Sequence, residues 1–288
     1  MPIRHPTVAG MFYPQGERTC RQEVEAYLDV ELEAVEGTIW GGVVPHAGWD
    51  FSGPTAGRVF SALDTGTPPA TFLLLGAIHR GGVNAPSLYG SGEWETPLGT
   101  LPVDEELARR LLEELEGEVV DKPQAHASEH SIEVQLPFIK YLFPEASILP
   151  LAIPPFSQAH DLGRRIAEVA KGVERRVVAI GSSDLTHYGP RYGFTPAGMG
   201  TSGLEWMKEN DRRLLRLARE MRASEVVEEA QTHHNACGAG AIAATMGYAL
   251  GRGADEGVVL HYTTSHEARP MGQPRDAVGY GAVIFIET

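Results

Sequence analysis

Short apolar runs, separated by segments of helix length, constrain the fold of this chain more than any other feature of its sequence. Thr38–Val44, Thr71–Gly76 and residues 176–181 are largely apolar and show no regular alternation with polar residues. Runs of this kind are typical of parallel strands, because helices cover both faces of a parallel sheet. The pattern predicts an α/β fold, a single-domain α/β/α sandwich with a mixed, largely parallel central sheet.

The other elements are predicted from periodicity and from start and stop signals. Further strands are expected at residues 87–89, 99–103, 147–153, 257–263 and 277–286. Helices are expected at residues 53–63, 104–115, 131–142, 158–171, 204–221, 223–232 and 236–250. Pro137 lies inside one of these helices and predicts a kink or an early end there. No repeat or linker separates two cores, so one domain is predicted over residues 1–288.

Composition excludes one class of partner and indicates a compartment. The chain has 24 basic and 38 acidic residues and a net charge of −14. Nucleic acid is not expected as a partner, because phosphate binding needs clustered Lys and Arg. Cys20 and Cys237 are too few for a disulfide framework. We see neither a signal peptide nor an apolar stretch that spans a bilayer, so we expect a cytoplasmic protein without membrane association.

Two histidines directly follow predicted strands. His46 comes after the first run and His79 after the second, and each is held on a rigid strand end. Gly81 and Gly82 follow His79 and leave room for a ligand to approach the backbone. We expect the two strands to be neighbours, so that both imidazoles reach one point at the carboxyl edge of the sheet. Imidazole binds zinc, copper and iron, so a metal site is the first hypothesis.

A third histidine follows the run at residues 176–181. His187 lies three residues after Asp184, and a carboxylate beside an imidazole orients the ring and raises its basicity. His187 is therefore either a further ligand or a general base, and we favour the base. In the alternative interpretation, Asp184 only caps a helical turn.

Cys237 and a second polar segment supply further candidates. We expect Cys237 in the first turn of a helix, where the helix dipole and nearby histidines lower its pKa and favour the metal-binding thiolate. It is otherwise a small buried residue in a close-packed helix. His130 and Glu133 share one helix face and are predicted to contact substrate or to support the ligands, and a glutamate of the segment 126–133 is a possible fourth ligand. His234, next to the thiol, is another candidate.

Together these segments resemble the Memo family, whose prokaryotic members are often called component B of the AmmeMemoRadiSam set. The matching stretches are residues 8–14 (VAGMFYP), 44–49 (VPHAGW), 75–79 (LGAIH), 129–137 (EHSIEVQLP), 182–189 (SSDLTHYG), 236–238 (ACG) and 278–283 (VGYGAV). They extend over essentially the whole chain. One departure is Ile78, which stands where many relatives have a polar residue before the second histidine.

The resemblance implies a fold like that of class III, non-haem iron extradiol dioxygenases. It implies that His46, His79 and Cys237 are the metal ligands, with cysteine in place of the carboxylate ligand of those enzymes. It further implies that His187, beside Asp184, is the acid/base residue and that Tyr13 lines the mouth of the pocket. A radical SAM protein is implied as a possible partner.

Three functions are compatible with these residues. The favoured hypothesis is an iron- or copper-dependent redox enzyme, dioxygenase-like, that acts on a small molecule or peptide; the substrate is not predicted. The second is a non-enzymatic module or scaffold that uses the same pocket to bind a peptide. The third is a zinc hydrolase, in which a metal-bound water has a pKa of about 7.

Overall fold

The computed structural model describes residues 2–32, 35–64, 66–79 and 83–288. Its strands are β1 (Ile3–Arg4), β2 (Thr38–Val44), β3 (Thr71–Gly76), β4 (Ser87–Leu88), β5 (Glu93–Thr96), β6 (Gly99–Pro102), β7 (Val120–Asp121), β8 (Ser147–Ala152), β9 (Val177–Ser182), β10 (His187–Tyr188), β11 (Glu256–Thr264) and β12 (Ala277–Glu287). Its α-helices are α1 (Glu17–Leu28), α2 (Trp49–Leu63), α3 (Glu105–Glu114), α4 (Leu136–Leu142), α5 (Ala159–Lys171), α6 (Thr201–Arg219), α7 (Val226–His233), α8 (Ala239–Arg252) and α9 (Ser265–Ala268).

The large sheet has a parallel centre and antiparallel flanks. Its strands run in the order β10-β12-β2-β9-β3-β8-β4-β7, and β11 pairs with β12. The four central strands β2, β9, β3 and β8 are mutually parallel, whereas β12 and β4 join them antiparallel. Every residue of β3 and β9 is buried, as expected for apolar strands that are covered on both faces. The carboxyl ends of the four central strands therefore share one edge.

Helices cover both faces of this sheet. Gly41 and Gly42 are consecutive in β2 and so point to opposite faces; a Cβ on Gly41 would meet Thr245 of α8, and one on Gly42 would meet Val59 of α2. On the α8 face, Gly163 of α5 lies so close to α8 that a Cβ would come within 2.0 Å of a backbone oxygen. The predicted α/β/α sandwich with a mixed sheet is confirmed.

One prediction of strand adjacency is wrong. The strands that precede His46 and His79, β2 and β3, are not neighbours, because β9 lies between them and pairs with both. A strand that arrives later in the chain has inserted between two earlier ones, as right-handed crossovers allow. As a result, the segment that follows β9 begins at the carboxyl edge of the sheet between the strands that precede the two histidines.

Two helix boundaries also differ from the predictions. The segment expected as a helix from residue 131 is a 3-10 turn at Glu133–Gln135, and α4 starts only at Leu136. Pro137 then lies in the first turn of α4, where a missing N–H leaves no bond unmade. The helix expected from residue 236 starts at Ala239, so Cys237 precedes it.

Among the described residues, no helix combines the length and the apolar character that crossing a bilayer requires. A smaller sheet in the order β1-β5-β6 places the N-terminal segment against the rest of the molecule.

Candidate metal centre

Three imidazoles meet at the carboxyl edge of the central strands. His46 follows β2, His79 follows β3, and His130 comes from the segment that precedes α4. The ring centroids of His46 and His79 are 4.9 Å apart, those of His79 and His130 are 4.7 Å apart, and those of His46 and His130 are 5.5 Å apart. One ring nitrogen from each residue lies within 4.8 Å of the other two. Metal–nitrogen bonds are about 2 Å long, so donor atoms spaced this closely fit around a single ion.

Hydrogen bonding leaves Nε2 of His46 available as a donor atom to a metal. His46 is buried, and its Nδ1 lies 3.0 Å from Oγ of Ser182. The Ser182 hydroxyl has one proton and donates it to the carbonyl of Ser131 at 2.7 Å. Nδ1 of His46 must therefore carry the hydrogen of its bond to Ser182, and the lone pair is on Nε2, which has Sγ of Cys237 3.2 Å away. Burial and the neighbouring histidines, His79 first, lower the pKa of His46 well below its usual value, so the ring is neutral.

Glu129 orients His79 in a similar way. Its carboxylate accepts from Nδ1 of His79 at 3.0 Å and from the backbone N–H of His79 at 2.9 Å. Burial by itself raises the pKa of Glu129, but the hydrogen bonds and the charge of His79 outweigh it and hold that pKa well below the usual range. Nε2 of His79 is then free, an arrangement in which a carboxylate raises the basicity of a metal ligand.

His130 and Glu129 were only partly anticipated from the sequence. His130 was expected to contact substrate or support the ligands, but it belongs to the histidine group itself. Burial and the adjacent His79 lower the pKa of His130, which favours the neutral, metal-binding form. Glu129, one of the two glutamates of that segment that are possible fourth ligands, instead forms a hydrogen bond with His79. Gly81 and Gly82, expected to open space after His79, lie outside the described residues.

Asp184 holds the backbone of His46 rather than the ring of His187. Its Oδ1 accepts from the backbone N–H groups of His46 at 2.8 Å and Ala47 at 3.2 Å. His187 instead directs Nδ1 to the carbonyl of Leu185 at 3.1 Å. The expected carboxylate–imidazole hydrogen bond is therefore replaced by a turn contact between the segments that follow β2 and β9. Burial raises the pKa of Asp184, and the charge of His187 opposes that rise.

Cys237 lies beside the metal-facing nitrogen of His46. Its Sγ is 3.2 Å from Nε2 of His46 and 3.7 Å from the carbonyl oxygen of Asp184. Cys237 is not a member of the three-histidine group, but it faces the same ring nitrogen that a metal would use. The expected lowering of its pKa by a helix start is not found. The residue precedes α8, and burial, followed by the charge of Asp184, raises the pKa of the thiol.

The structure places three other sequence candidates away from the ring cluster. The Glu133 carboxylate accepts hydrogen bonds from Arg4, from the backbone of Thr7 and Val8, and from Tyr13. It therefore anchors the N-terminal segment. Tyr13 is buried in this network and does not line the pocket mouth as expected. His234 is exposed and contacts Phe194, with ring centroids 5.4 Å apart.

A cavity of about 610 Å³ opens over the cluster. His46, His79, His130, His187 and Asp184 line its inner part, so the histidine group faces a space large enough for a small organic molecule. The donor set of three imidazoles, with a sulfur beside one of them, suits zinc, copper or iron. The residues present therefore fit a bound metal ion, and the site offers open space beside it.

Sequence comparison relates this chain to a known family. The family described as Memo-like protein matches residues 4–284. MEMO1 family proteins of Thermococcus onnurineus and Pyrococcus abyssi are 39% and 37% identical to this chain, each over 98% of this chain and 99% of the relative.

A solved structure extends the comparison of the fold. The crystal structure of the uncharacterized protein JW3007 from Escherichia coli K12 superposes with a TM-score of 0.53 at 12% identity. It covers 84% of this chain and 99% of its own, which supports the fold alone. The sequence matches extend over nearly the full length and include the segments that carry the histidines. The chain therefore belongs to the Memo-like family.

Proposed function

We propose that this protein is a metal-dependent redox enzyme, dioxygenase-like in its site, that uses iron or copper. The single observation that carries the proposal is the convergence of ring nitrogens from His46, His79 and His130 within 4.8 Å at the inner end of an open cavity. Such an ion supplies Lewis acidity and one-electron chemistry when bound. We propose His46 and His79 as its central ligands, with His130 and the Cys237 thiolate completing the set.

The protein's own residues have distinct tasks in this proposal. Ser182 and Glu129 hold two rings with Nε2 directed away from their partners. His187 donates Nδ1–H to a carbonyl, which leaves Nε2 as a proton acceptor on the cavity wall. A base in that position can take a proton from a substrate and later return it. Asp184 keeps the turns that carry His46 and His187 together.

A zinc hydrolase is the second candidate. The observation that favours it is the set of three imidazoles, because three histidines are the ligands of some zinc enzymes that activate water. A non-enzymatic peptide-binding or scaffold role, a radical SAM partner protein and a cytoplasmic location remain predictions from the sequence.

Metal analysis of protein purified without oxygen tests the proposal. We expect about one iron or copper ion per chain in the wild type and none in His46→Ala, because that ring is central to the set. His187→Ala should retain the metal and lose turnover. His5→Ala is the matched control, since His5 is exposed and pairs with Glu95 away from the cavity. Full metal occupancy in His46→Ala would contradict the ligand assignment.

Cobalt substitution distinguishes the third and fourth ligands. A Co(II) ion bound to thiolate absorbs in the near ultraviolet through sulfur-to-metal charge transfer. We expect this band in the wild type and in His130→Ala, and its loss in Cys237→Ala. An unchanged band in Cys237→Ala would exclude the sulfur from the site.

Activity assays distinguish the three candidate functions. Oxygen uptake with catechol or thiol substrates supports redox chemistry, and zinc retention with ester or amide turnover supports the hydrolase. Tight peptide binding without turnover supports the non-enzymatic module.

A further inference from the structure

Three arginines line the outer part of the cavity above the histidines. Arg191 lies in the 3-10 turn Pro190–Tyr192 after His187, and Arg269 and Arg275 lie between α9 and β12. The acidic residues of the lining are Asp184 and Asp276. Three guanidinium groups thus surround this opening in a chain whose net charge is −14.

A hydrogen bond connects the segment that carries Arg191 to the segment that carries Arg275. The carboxylate of Asp276 accepts from the backbone N–H of Arg191 at 2.8 Å. Gly189 has a φ of +123°, and a Cβ there would approach Oδ1 of Asp276 to 2.4 Å, so only glycine allows this contact. The fold therefore holds Arg191 and Arg275 on neighbouring segments by a built contact.

Asp276 lies at ion-pair distance from Arg275, but among the described residues the lining carboxylates accept no hydrogen bond from the side chain of Arg191 or Arg275. Oδ1 of Asp184 accepts hydrogen bonds from two backbone N–H groups, and Oδ1 of Asp276 accepts one from the backbone N–H of Arg191. Nε of Arg275 is 3.8 Å from Oδ2 of Asp276, too far for a hydrogen bond. The salt bridges among the described residues pair Arg269 with Asp50 outside the cavity and do not include Arg191.

The remaining lining suits an aromatic body. Phe12, Phe51, Tyr192 and Tyr280 line the same cavity as the histidines and the arginines. Guanidinium groups bind carboxylate and phosphate through paired N–H donors, and a concave site concentrates their field. A ligand with an apolar ring and one anionic group therefore matches the lining from its inner end to its mouth.

We propose that the substrate of this site is a small aromatic anion, whose carboxylate or phosphate group is bound by Arg191 and Arg275 at the cavity mouth while its ring lies over the histidines. This proposal extends the proposed function. Only the statement that the ligand is a substrate depends on that function. The binding itself depends only on this chain's own arginines and does not require a metal.

Fluorine NMR of ligand binding tests the proposal on the metal-free and the metal-loaded full-length chain. The probes are 4-fluorobenzoate, 4-fluorophenyl phosphate and the uncharged 4-fluorobenzamide. We expect at least one of the two anions to bind to the metal-free protein. The amide should bind at least about tenfold more weakly, because it cannot form the charge-assisted hydrogen bonds. The tighter of the two anions identifies the charged group.

Variants locate the binding. The double variant R191Q/R275Q should lose about tenfold or more in anion affinity, whereas Arg18→Gln, which removes an exposed charge that does not line the cavity, should bind as the wild type does. Equal anion binding in the double variant and the wild type, or equal binding of the amide, overturns the proposal. Metal binding without anion binding rejects this inference alone. Arginine-dependent anion binding without any metal binding rejects the redox proposal instead.

Discussion

At the scale of single residues, hydrogen-bond partners decide which nitrogen of each imidazole faces the cavity. Ser182 cannot donate to His46, since its proton already goes to Ser131. Glu129 is acidic enough to remain ionised beside His79, whose pKa is lowered by burial but raised more by that hydrogen bond and charge. Both rings are thus held in one orientation before a metal binds, which reduces the reorganisation that binding requires.

Glu129→Gln tests this preparation. Glutamine keeps the size of the side chain and removes its charge, so the basicity of His79 should fall. We expect metal affinity to decrease about 10- to 100-fold, the range typical of outer carboxylates that orient ligands. Competition titration with a chelator at neutral pH measures the change.

The chain contains a matched control for this variant. Glu95 pairs with His5 at 2.6 Å on the surface, and Glu95→Gln removes the same charge from a carboxylate–histidine pair elsewhere. That variant should bind metal as the wild type does. An affinity in Glu129→Gln equal to that of Glu95→Gln would show that Glu129 does not support the site.

At the scale of elements, Glu133 connects the N-terminal segment to the turn that carries the histidine cluster. The side chains of Arg4 and Glu133 are 5% and 0% exposed, and their charged atoms are 2.9 Å apart. Burial raises the pKa of Glu133, but the charge of Arg4 and the N–H donors of Val8 and Thr7 outweigh it and lower that pKa. The carboxylate is therefore ionised and surrounded by donors.

Glu133→Gln should destabilise this junction strongly. The substitution leaves the Arg4 charge buried without its partner, and losses of about 3–5 kcal/mol are typical of broken buried pairs. Urea unfolding measures the free energy, and hydrogen exchange should show the loss first in residues 2–14. Glu113→Gln, in an exposed pair with Arg109, should leave the free energy of unfolding nearly unchanged. Similar losses in the two variants would contradict the anchoring role.

At the scale of the whole molecule, one buried acid ties stability to pH. Asp211 of α6 accepts from the backbone N–H of Thr186 at 2.9 Å and from the hydroxyl of Tyr262 at 2.8 Å. Burial raises the pKa of Asp211 to about 7, and the hydrogen bonds only partly oppose this. Helix α6, strand β11 and the segment before His187 thus meet at a group that titrates near neutral pH.

Asp211→Asn should remove this dependence. In the unfolded chain the carboxyl has a pKa of about 4, so the folded state binds the proton more tightly. Its contribution to the free energy of unfolding is full below about pH 4 and is lost as the pH rises towards 7. Relative to the wild type, the variant should therefore gain stability between pH 5 and pH 8, measured by urea unfolding. Parallel pH profiles for the wild type, Asp211→Asn and the exposed-site control Asp64→Asn would contradict the prediction.

Several features of the fold and site follow from local sequence. The bounds of β2 and β3 agree with the predicted strands residue for residue, because buried apolar runs between turn residues are readable locally. The histidines after them were predicted to share a site, and His46 and His79 do meet. Helix α1 was not predicted; its exposed, charged face weakens the periodic signal that marks a buried helix.

The sequence by itself determined the layered α/β class, the strand ends that carry His46 and His79, and the family, since each depends on residue type and spacing along the chain. Only the tertiary structure decided that β9 separates those two strands, that His130 and Glu129 join the cluster while Glu133 and Tyr13 turn away, and that arginines surround its opening. The physical reason is that strand order and side-chain direction depend on contacts between segments far apart in the chain, and local patterns do not specify those contacts.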